Sequence, residues 1–296
     1  MDTNAILVVA CHHSGTEMIS DCVYNGGVLM GDEALLNHNN SFSVPLFAKW
    51  VLKSGSSYGV NPVLKTKVIG SYAVRSLKDY LKSKDDSYLL PILKPREDRR
   101  LTFINTYILS AEGYNWHSPS EVDCLDPGVE QLAETLIGEY SKKSMFWGLK
   151  DPRMVFTFNF WERQFEKAGI NPRIVFIYRN PLAVAIGTSL DGGKVTRKEW
   201  PIERGLKLWI EYNTQLLKVM EKPYPSIVLK YEDFCKNDES VDLLESFLNS
   251  PEKMTNPFDP SRCHAQSNDI PDACREIYDT LEMKKEESIQ SLLMTV

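Results

Sequence analysis

The feature that most constrains the fold is a short apolar run that leads through a tight turn into a helix. The residues from Ile6 to Ala10 (ILVVA) are mostly β-branched and have the length of a buried strand. CHHSGTE follows directly, and the helix predicted after it ends at Gly26 and Gly27. A strand, a tight turn and a helix in this order are typical of the opening unit of an α/β protein.

The second half of the chain continues the alternation of strands and helices. Residues 145–150 (MFWGLK) and 173–179 (RIVFIYR) are predicted strands on either side of an amphipathic helix, so we expect them to form a parallel pair with a right-handed crossover. A strand is also predicted over 226–234, and helices from Pro181, over Ile202–Lys222, around Val241–Leu248 and from Pro271. This order predicts a three-layer α/β fold with a mostly parallel central sheet, in which ligands bind beyond the carboxyl ends of the strands.

The segment from about residue 40 to 125 does not follow this alternation. It is rich in Tyr, Trp and Phe, and Thr66 to Lys84 within it has helical spacing. We interpret it as a helical insertion or cap in a single domain that spans all 296 residues. The charge cluster from Lys94 to Arg100 within this segment is interpreted as a solvated turn. After the segment, Asp126-Pro127 is predicted to begin a helix that reaches about Lys142.

The charge balance favours a small-molecule ligand. Asp and Glu number 40 and Lys and Arg 34, so the molecule as a whole repels nucleic acid and anionic membranes, and an anionic ligand needs a local positive charge. The early apolar run is too short for a secretory signal or a membrane span, and the six cysteines have no metal-type spacing. We therefore expect a soluble, cytoplasmic protein with free thiols and with neither nucleic acid nor a membrane as partner.

The turn after the first strand predicts a phosphate site. Consecutive backbone N–H groups converge there at a helix N-terminus and can hold an anion. Compared with the ATP-binding pattern GxxxxGK[ST], Gly15 takes the second glycine, but Thr16 and Glu17 stand where a lysine and a magnesium-binding hydroxyl are required. A kinase or ATPase that replaces both groups is one alternative, and an ordinary strand-to-helix turn is another.

Four segments, in order along the chain, resemble the sulfotransferases that use 3′-phosphoadenosine 5′-phosphosulfate (PAPS), most of all their bacterial-type branch. They are ILVVACHHSGTEMI (6–19), GLKDPR (148–153), VFIYRNPLAVAIGTSL (175–190) and VLKYEDF (228–234). The resemblance covers the predicted strands but not the segment 40–125. It implies a P-loop-like fold and transfer of a sulfuryl group from PAPS to a hydroxyl or amine of a small-molecule or carbohydrate acceptor. The product is adenosine 3′,5′-bisphosphate (PAP), and no metal is needed.

The resemblance also implies which residues bind PAPS. The loop around the 5′ phosphate has a Lys or Arg where this chain has His13, and a serine expected to bind the 3′-phosphate is replaced by Gly187. The neighbouring hydroxyls of Thr188 and Ser189 are then the candidates for that contact. The implied cofactor-binding residues are His13, Ser14, Gly15, Thr16 and Glu17 at the 5′ phosphate, Arg179, Thr188 and Ser189 at the 3′-phosphate, and Tyr231 near the adenine.

Catalysis of this kind needs a cation at the oxygen that leaves with PAP. The resemblance assigns this role to Lys150, assisted by His13; a lysine paired with Asp151 is the alternative interpretation. Arg153 is expected to brace the site, through Asp151 or through a carboxylate elsewhere.

Three residues are candidates for the general base that takes the proton of the acceptor. Some relatives place a histidine two residues after the lysine, but here that position is Pro152. Others use a glutamate downstream of the phosphate loop, which makes Glu33 the first candidate, with His38 and His117 as alternatives.

A non-catalytic nucleotide-binding protein on the same scaffold is a further alternative to a sulfotransferase.

Overall fold

The computed structural model describes residues 4–31, 97–196, 200–258 and 268–294. The strands in these ranges are β1 (Asn4–Ala10), β2 (Leu29–Met30), β3 (Phe146–Lys150), β4 (Arg173–Tyr178) and β5 (Ser226–Lys230). The helices are α1 (Thr16–Asn25), α2 (Arg99–Ala111), α3 (Pro127–Lys143), α4 (Phe158–Ala168), α5 (Pro181–Thr196), α6 (Ile202–Met220), α7 (Tyr231–Phe234), α8 (Glu239–Leu248) and α9 (Asp272–Leu293), and a 3₁₀ turn spans Pro152–Val155.

The chain divides into two compact units. The first comprises Met1–Ala5 and Leu29–Asn171, and the second comprises Ile6–Val28 and Pro172–Val296. Within the first unit β2 pairs with β3, and within the second β4 pairs with both β1 and β5. Each of these pairings is parallel, so the predicted α/β class with a parallel sheet is confirmed. The single domain with an insertion at about 40–125 stays a prediction.

The sequence of β1 and β4 explains why they form the interior of the second unit. Every residue from Ala5 to Ala10 is fully buried, and none from Ile174 to Tyr178 is more than 1% exposed. Near-continuous apolar runs of this kind form strands that are covered on both faces. In their register Ala10 lies opposite Ile177, so the segments that follow the two strands begin at the same edge of the sheet.

Most predicted elements are confirmed, but the prediction of the strands needs three corrections, one of pairing, one of a missed strand and one of a strand end. Residues 145–150 and 173–179 were expected to pair, whereas β3 pairs with β2, and β4 pairs with β1 and β5. β2 has only two residues, too few to give a periodic signal. The strand predicted over 226–234 ends at Lys230, and YEDF forms one turn of helix, α7.

The interpretation of Lys94–Arg100 as a solvated turn is wrong for its described residues. Asp98 caps α2 by accepting a hydrogen bond from the backbone N–H of Arg100 at 2.8 Å. The Arg100 side chain is 1% exposed and pairs with Asp98 at 2.6 Å and with Glu139 of α3. The hydroxyl of Tyr140 also donates to Asp98, at 2.7 Å. The charges are therefore an internal ion-pair cluster that joins α2 to α3.

Residues 32–96 lie outside the described ranges, and so does the helix predicted over Thr66–Lys84. Within the described part of the predicted insertion, α2 is helical, and residues 112–125 contain no helix. Among the described helices, none combines the length and the apolar character that a bilayer crossing requires.

Replacing Arg100 by Met should lower the free energy of unfolding by about 3–5 kcal/mol, because Asp98 would remain buried without its cation. Urea unfolding followed by circular dichroism measures the change. The control is Lys207→Met, which removes an ion pair whose lysine is 78% exposed, and which should cost less than about 1 kcal/mol. Equal effects of the two substitutions would contradict a structural role for the Arg100 cluster.

Candidate functional site

The turn between β1 and α1 has the backbone geometry of an anion site. His13 and Gly15 both adopt the left-handed conformation, with φ of 61° and 91°. Among the described residues no side chain caps the N-terminus of α1, although the first N–H groups of a helix have no partners within it. Together with the helix dipole, such N–H groups attract an anion. Thr16 is buried in this first turn, and Glu17 follows it with a half-buried side chain.

Ser14 gives a second, independent indication of a ligand. Its side chain is fully buried, and its Oγ has no hydrogen-bond partner among the described residues. A buried hydroxyl left without a partner costs about 1–3 kcal/mol. An anion bound in the turn would accept a hydrogen bond from this hydroxyl and remove that cost.

The ring of Tyr231 packs against this turn. A Cβ atom placed on Gly15 would lie 2.2 Å from Cδ2 of Tyr231, so no larger residue fits unless the ring moves. The guanidinium of Arg179 lies 4.2 Å from the centroid of the same ring, in a cation–π contact. Tyr231 is 8% exposed and therefore buried between neighbours of its own unit. Its predicted contact with the adenine stays a prediction.

Arg179 lies beside the turn, and its binding of the 3′-phosphate stays a prediction. It follows β4 directly, and its Nη1 donates to the backbone oxygen of His13 at 3.2 Å. Its own backbone oxygen accepts a hydrogen bond from Nε1 of Trp209 on α6 at 3.0 Å. Arginine stays charged at any physiological pH, so this placement gives an acidic protein a fixed local positive charge next to the helix N-terminus.

The two hydroxyls predicted for the 3′-phosphate are engaged elsewhere. Thr188 is fully buried, and its hydroxyl donates to the backbone oxygen of Val184 at 2.8 Å. The hydroxyl of Ser189 donates to the backbone oxygen of Trp200. Gly187, by contrast, lies against the side chain of His13: a Cβ on this glycine would be 3.2 Å from Cγ and Nδ1 of the imidazole. The roles of these residues in binding remain predictions.

Cys11 opens the turn but is unsuited to act as a nucleophile. Its side chain is 1% exposed, and burial raises the pKa of the thiol well above its ordinary value. The thiol therefore stays protonated, and a protonated thiol is a poor nucleophile. Chemistry at this turn has to come from hydrogen-bond donors and positive charge.

Lys150 is held by a partner that the sequence did not indicate. It ends β3 with an exposure of 2%, and its Nζ lies 2.7 Å from Oε1 of Glu97. Asp151 is instead bound by Arg153, whose Nε donates at 2.8 Å, and by Nδ2 of Asn105 at 3.0 Å. Lys150 thus pairs with Glu97 and not with Asp151, which was the alternative interpretation of the sequence. Asp151 pairs instead with Arg153, which is one of the two carboxylate contacts expected for that arginine.

Of the three candidates for the general base, His117 lies among the described residues. Glu33 and His38 lie outside the described residues. His117 is half-buried in the first unit, where its backbone N–H donates to Oδ1 of Asn115 at 3.0 Å and its ring meets Trp116 edge-on at 5.3 Å. The assignment of a base stays a prediction.

Comparison with known proteins gives similarity to solved structures alone, since no family model and no curated protein matches the chain. The sulfotransferase domain from the curacin biosynthetic pathway is similar with a TM-score of 0.43 and 14% identity, over 99% of this chain and 97% of that one. The sulfotransferase domain from the Synechococcus PCC 7002 olefin synthase gives 0.40 and 11%, over 99% and 95%. Sulfotransferase STF1 from Mycobacterium tuberculosis H37Rv gives 0.40 and 10%, over 99% and 76%. Because identity and TM-score are low, function has to be inferred from the site residues themselves.

Gly15→Ala should destabilise the protein more than Gly113→Ala, by at least about 1 kcal/mol. Both glycines have positive φ, 91° and 82°, so both substitutions introduce backbone strain, but a Cβ on Gly113 meets nothing within 4 Å. The difference therefore isolates the collision with Tyr231. Urea unfolding of the two variants measures it, and equal destabilisation would show that the ring gives way without cost.

Proposed function

We propose that this chain transfers a sulfuryl group from PAPS to a hydroxyl or amine of a small-molecule or carbohydrate acceptor. The observation that carries the proposal is the fully buried Ser14 hydroxyl, which has no partner among the described residues and lies in a turn whose backbone is bound by Arg179. PAP carries two phosphates on one nucleoside, and the second unit offers two adjoining groups that suit them. The turn suits the 5′ phosphate, and Arg179 suits the 3′-phosphate.

The alternative of an ATP-dependent kinase has less support. A kinase loop needs a lysine for the terminal phosphates and a hydroxyl for magnesium, and Thr16 and Glu17 occupy those positions. Glu17 in the first turn of α1 would repel a highly charged triphosphate. A nucleotide with a single 5′ phosphate and a separate 3′-phosphate makes a smaller demand on positive charge at the turn.

Each group of the chain has a defined task in the proposed reaction. When bound, PAPS supplies the sulfuryl group: a bond forms between the acceptor atom and sulfur, and the bond from sulfur to the 5′ phosphate oxygen breaks. Ser14 and the backbone N–H groups of the turn hold that phosphate as it gains charge. The proton of the acceptor passes to a general base, for which Glu33, His38 and His117 remain candidates.

Lys150 is the proposed cation for the leaving oxygen, a role taken from the resemblance. Its burial and its ion pair with Glu97 hold the ammonium in one place, so little reorganisation is needed during the reaction. Glu97 is then a positioning residue, because it acts through Lys150. A paired cation stabilises a departing phosphate less than a lone one.

Binding is tested by thermal unfolding with PAP, AMP and magnesium-ATP. PAP should stabilise the protein by about 3 kcal/mol at 100 times its Kd, and AMP should stabilise it less at the same concentration. Arg179→Ala should weaken PAP binding by about 1.5–3 kcal/mol, the value of a hydrogen bond to a charged group. The control is Arg204→Ala, which removes another arginine stacked on an aromatic ring, Trp200, at 3.9 Å.

Two outcomes would contradict this account of binding. Equal stabilisation of the wild-type protein by AMP and PAP would remove the 3′-phosphate site. Stabilisation by magnesium-ATP without any by PAP would favour the kinase instead.

Turnover is tested on Lys150 with an acceptor found by screening. Lys150→Met should lower the rate of PAP release by about 100- to 1,000-fold, the loss expected for one electrostatic stabiliser, with stabilisation by PAP retained. Glu97→Gln should lower the rate less, because the ammonium loses its anchor but keeps its charge. Lys167→Met, which breaks the exposed pair with Glu130 in the same unit, is the control.

Unchanged turnover in Lys150→Met would assign the leaving-group role to other residues. Binding of PAP by the wild-type protein without its release from PAPS, whatever the acceptor, would favour a non-catalytic nucleotide-binding protein.

A further inference from the structure

The last helix, α9, is attached to the second unit with little buried apolar surface. Of its 22 residues, Cys274 and Leu281 are the two that are buried. A helix of this kind detaches from a protein at a lower free energy than the core strands do, unless other contacts hold it. The half-buried contacts of α9 therefore decide how firmly it is docked.

One ring of α9 touches the last residues of two neighbouring strands. The ring of Tyr278 meets the ring of Tyr178 edge-on, with 5.9 Å between the centroids. The centroid of the same ring lies 5.2 Å from Nζ of Lys230, in a cation–π contact. Tyr178 ends β4, Lys230 ends β5, and the two residues lie opposite each other in the register. Tyr278 thus packs against the last pair of the ladder between β4 and β5.

The residues that come directly after this last pair border the phosphate turn. In the chain, Arg179 follows the tyrosine of the pair and Tyr231 follows its lysine. We call Arg179 and Tyr231 the site pair. The guanidinium of the site pair stacks on its phenol ring, and the ring packs against Gly15. Because the paired register ends one residue earlier on each strand, the position of the site pair depends on how the strand ends are held.

The chain beyond the site pair is held from the same direction. Nδ2 of Asn180 donates to the backbone oxygen of Asp269, just before α9, at 3.1 Å. Asp233 accepts a hydrogen bond from Lys285 of α9 at 3.0 Å. The residues before and after the site pair are therefore in contact with α9 or with the segment that leads into it.

We propose that Tyr278 is a positioning residue for the anion site at the turn. Its ring holds the ends of β4 and β5 so that the site pair stays packed against the turn, and the docking of α9 and the binding of an anion stabilise each other. The inference rests on the proposed function in that it takes the turn as the site of a phosphate. The coupling is reciprocal: a helix that raises the affinity for an anion is itself held more firmly when the anion is bound.

Substitutions of Tyr278 test the positioning role without a change of charge. Glu282 of α9 also pairs with Lys230, but its removal would alter the electric field at the site as well as the docking of the helix. Tyr278→Leu removes the aromatic ring and should weaken the binding of PAP, measured by calorimetric titration, by about 5- to 20-fold. Tyr278→Phe keeps both ring contacts and should bind PAP with the affinity of the wild-type protein.

Ser288→Ala is the matched control on the same helix. The hydroxyl of Ser288 accepts a hydrogen bond from the backbone N–H of Val228 at 3.1 Å. The substitution therefore loosens α9 at the middle of β5 and leaves the strand end alone. It should lower the midpoint of urea unfolding, as Tyr278→Leu does, but keep the affinity for PAP.

Amide hydrogen exchange tests the reciprocal effect. In the wild-type protein, PAP should slow exchange in α9 more than in α8, and this difference should be lost in Tyr278→Leu. Inorganic phosphate is the second probe, compared with sodium chloride at equal ionic strength, because it requires the anion site alone. It should also slow exchange in α9.

Unchanged affinity for PAP in Tyr278→Leu overturns the inference, as does equal weakening in Tyr278→Phe or Ser288→Ala, or exchange in α9 that does not respond to bound PAP. Each of these outcomes leaves the proposed function standing. A wild-type protein that binds phosphate but not PAP contradicts the proposed function, and the response of α9 to phosphate in the wild-type protein and in Tyr278→Leu then decides the inference. If neither probe binds, both fail.

Discussion

The contact between the ring of Tyr231 and the α-carbon of Gly15 is the constraint on which the candidate site depends. The ring approaches so closely that only a residue without a side chain fits beneath it, and that same glycine supplies the left-handed turn that begins α1. Because Arg179 lies over the same ring, the turn and the cation are placed by one aromatic side chain. The geometry of the proposed anion site thus follows from packing as well as from charge.

Tyr231 is itself held in place by the residues that follow it in α7. Glu232 accepts a hydrogen bond from the backbone N–H of Asn180 at 2.9 Å, just after Arg179 in the chain. Asp233 accepts hydrogen bonds from Lys236 at 2.9 Å and from Lys285 of α9 at 3.0 Å. Burial alone would raise the pKa of Asp233, but these two hydrogen bonds outweigh it and lower that pKa. Its contribution to stability is therefore present at neutral pH and is lost as the pH falls through the lowered pKa.

Local signals in the sequence were sufficient to predict the strands and helices of the scaffold. They were not sufficient to predict contacts between side chains that are far apart in the chain. β1, β4 and α1 were predicted because apolar runs, glycines and the turn between them are neighbours in the chain. Glu97 was missed as the partner of Lys150 because 53 residues separate them and nothing in either segment indicates the other. The contact of His13 with Gly187 is of the same kind, since it depends on how α5 packs in the second unit.

The distribution of charge distinguishes the tasks that the positive groups are suited to perform. Arg179 is permanently charged, lies at a strand end and is held by an aromatic ring, which suits it to bind a phosphate whose charge does not change in the proposed reaction. Lys150 is buried and matched by a carboxylate, which suits it to its proposed role at an oxygen whose charge does change. A histidine carries less charge than either at neutral pH. In the proposed reaction His13 is therefore less suited than Lys150 to offset the charge of the leaving phosphate.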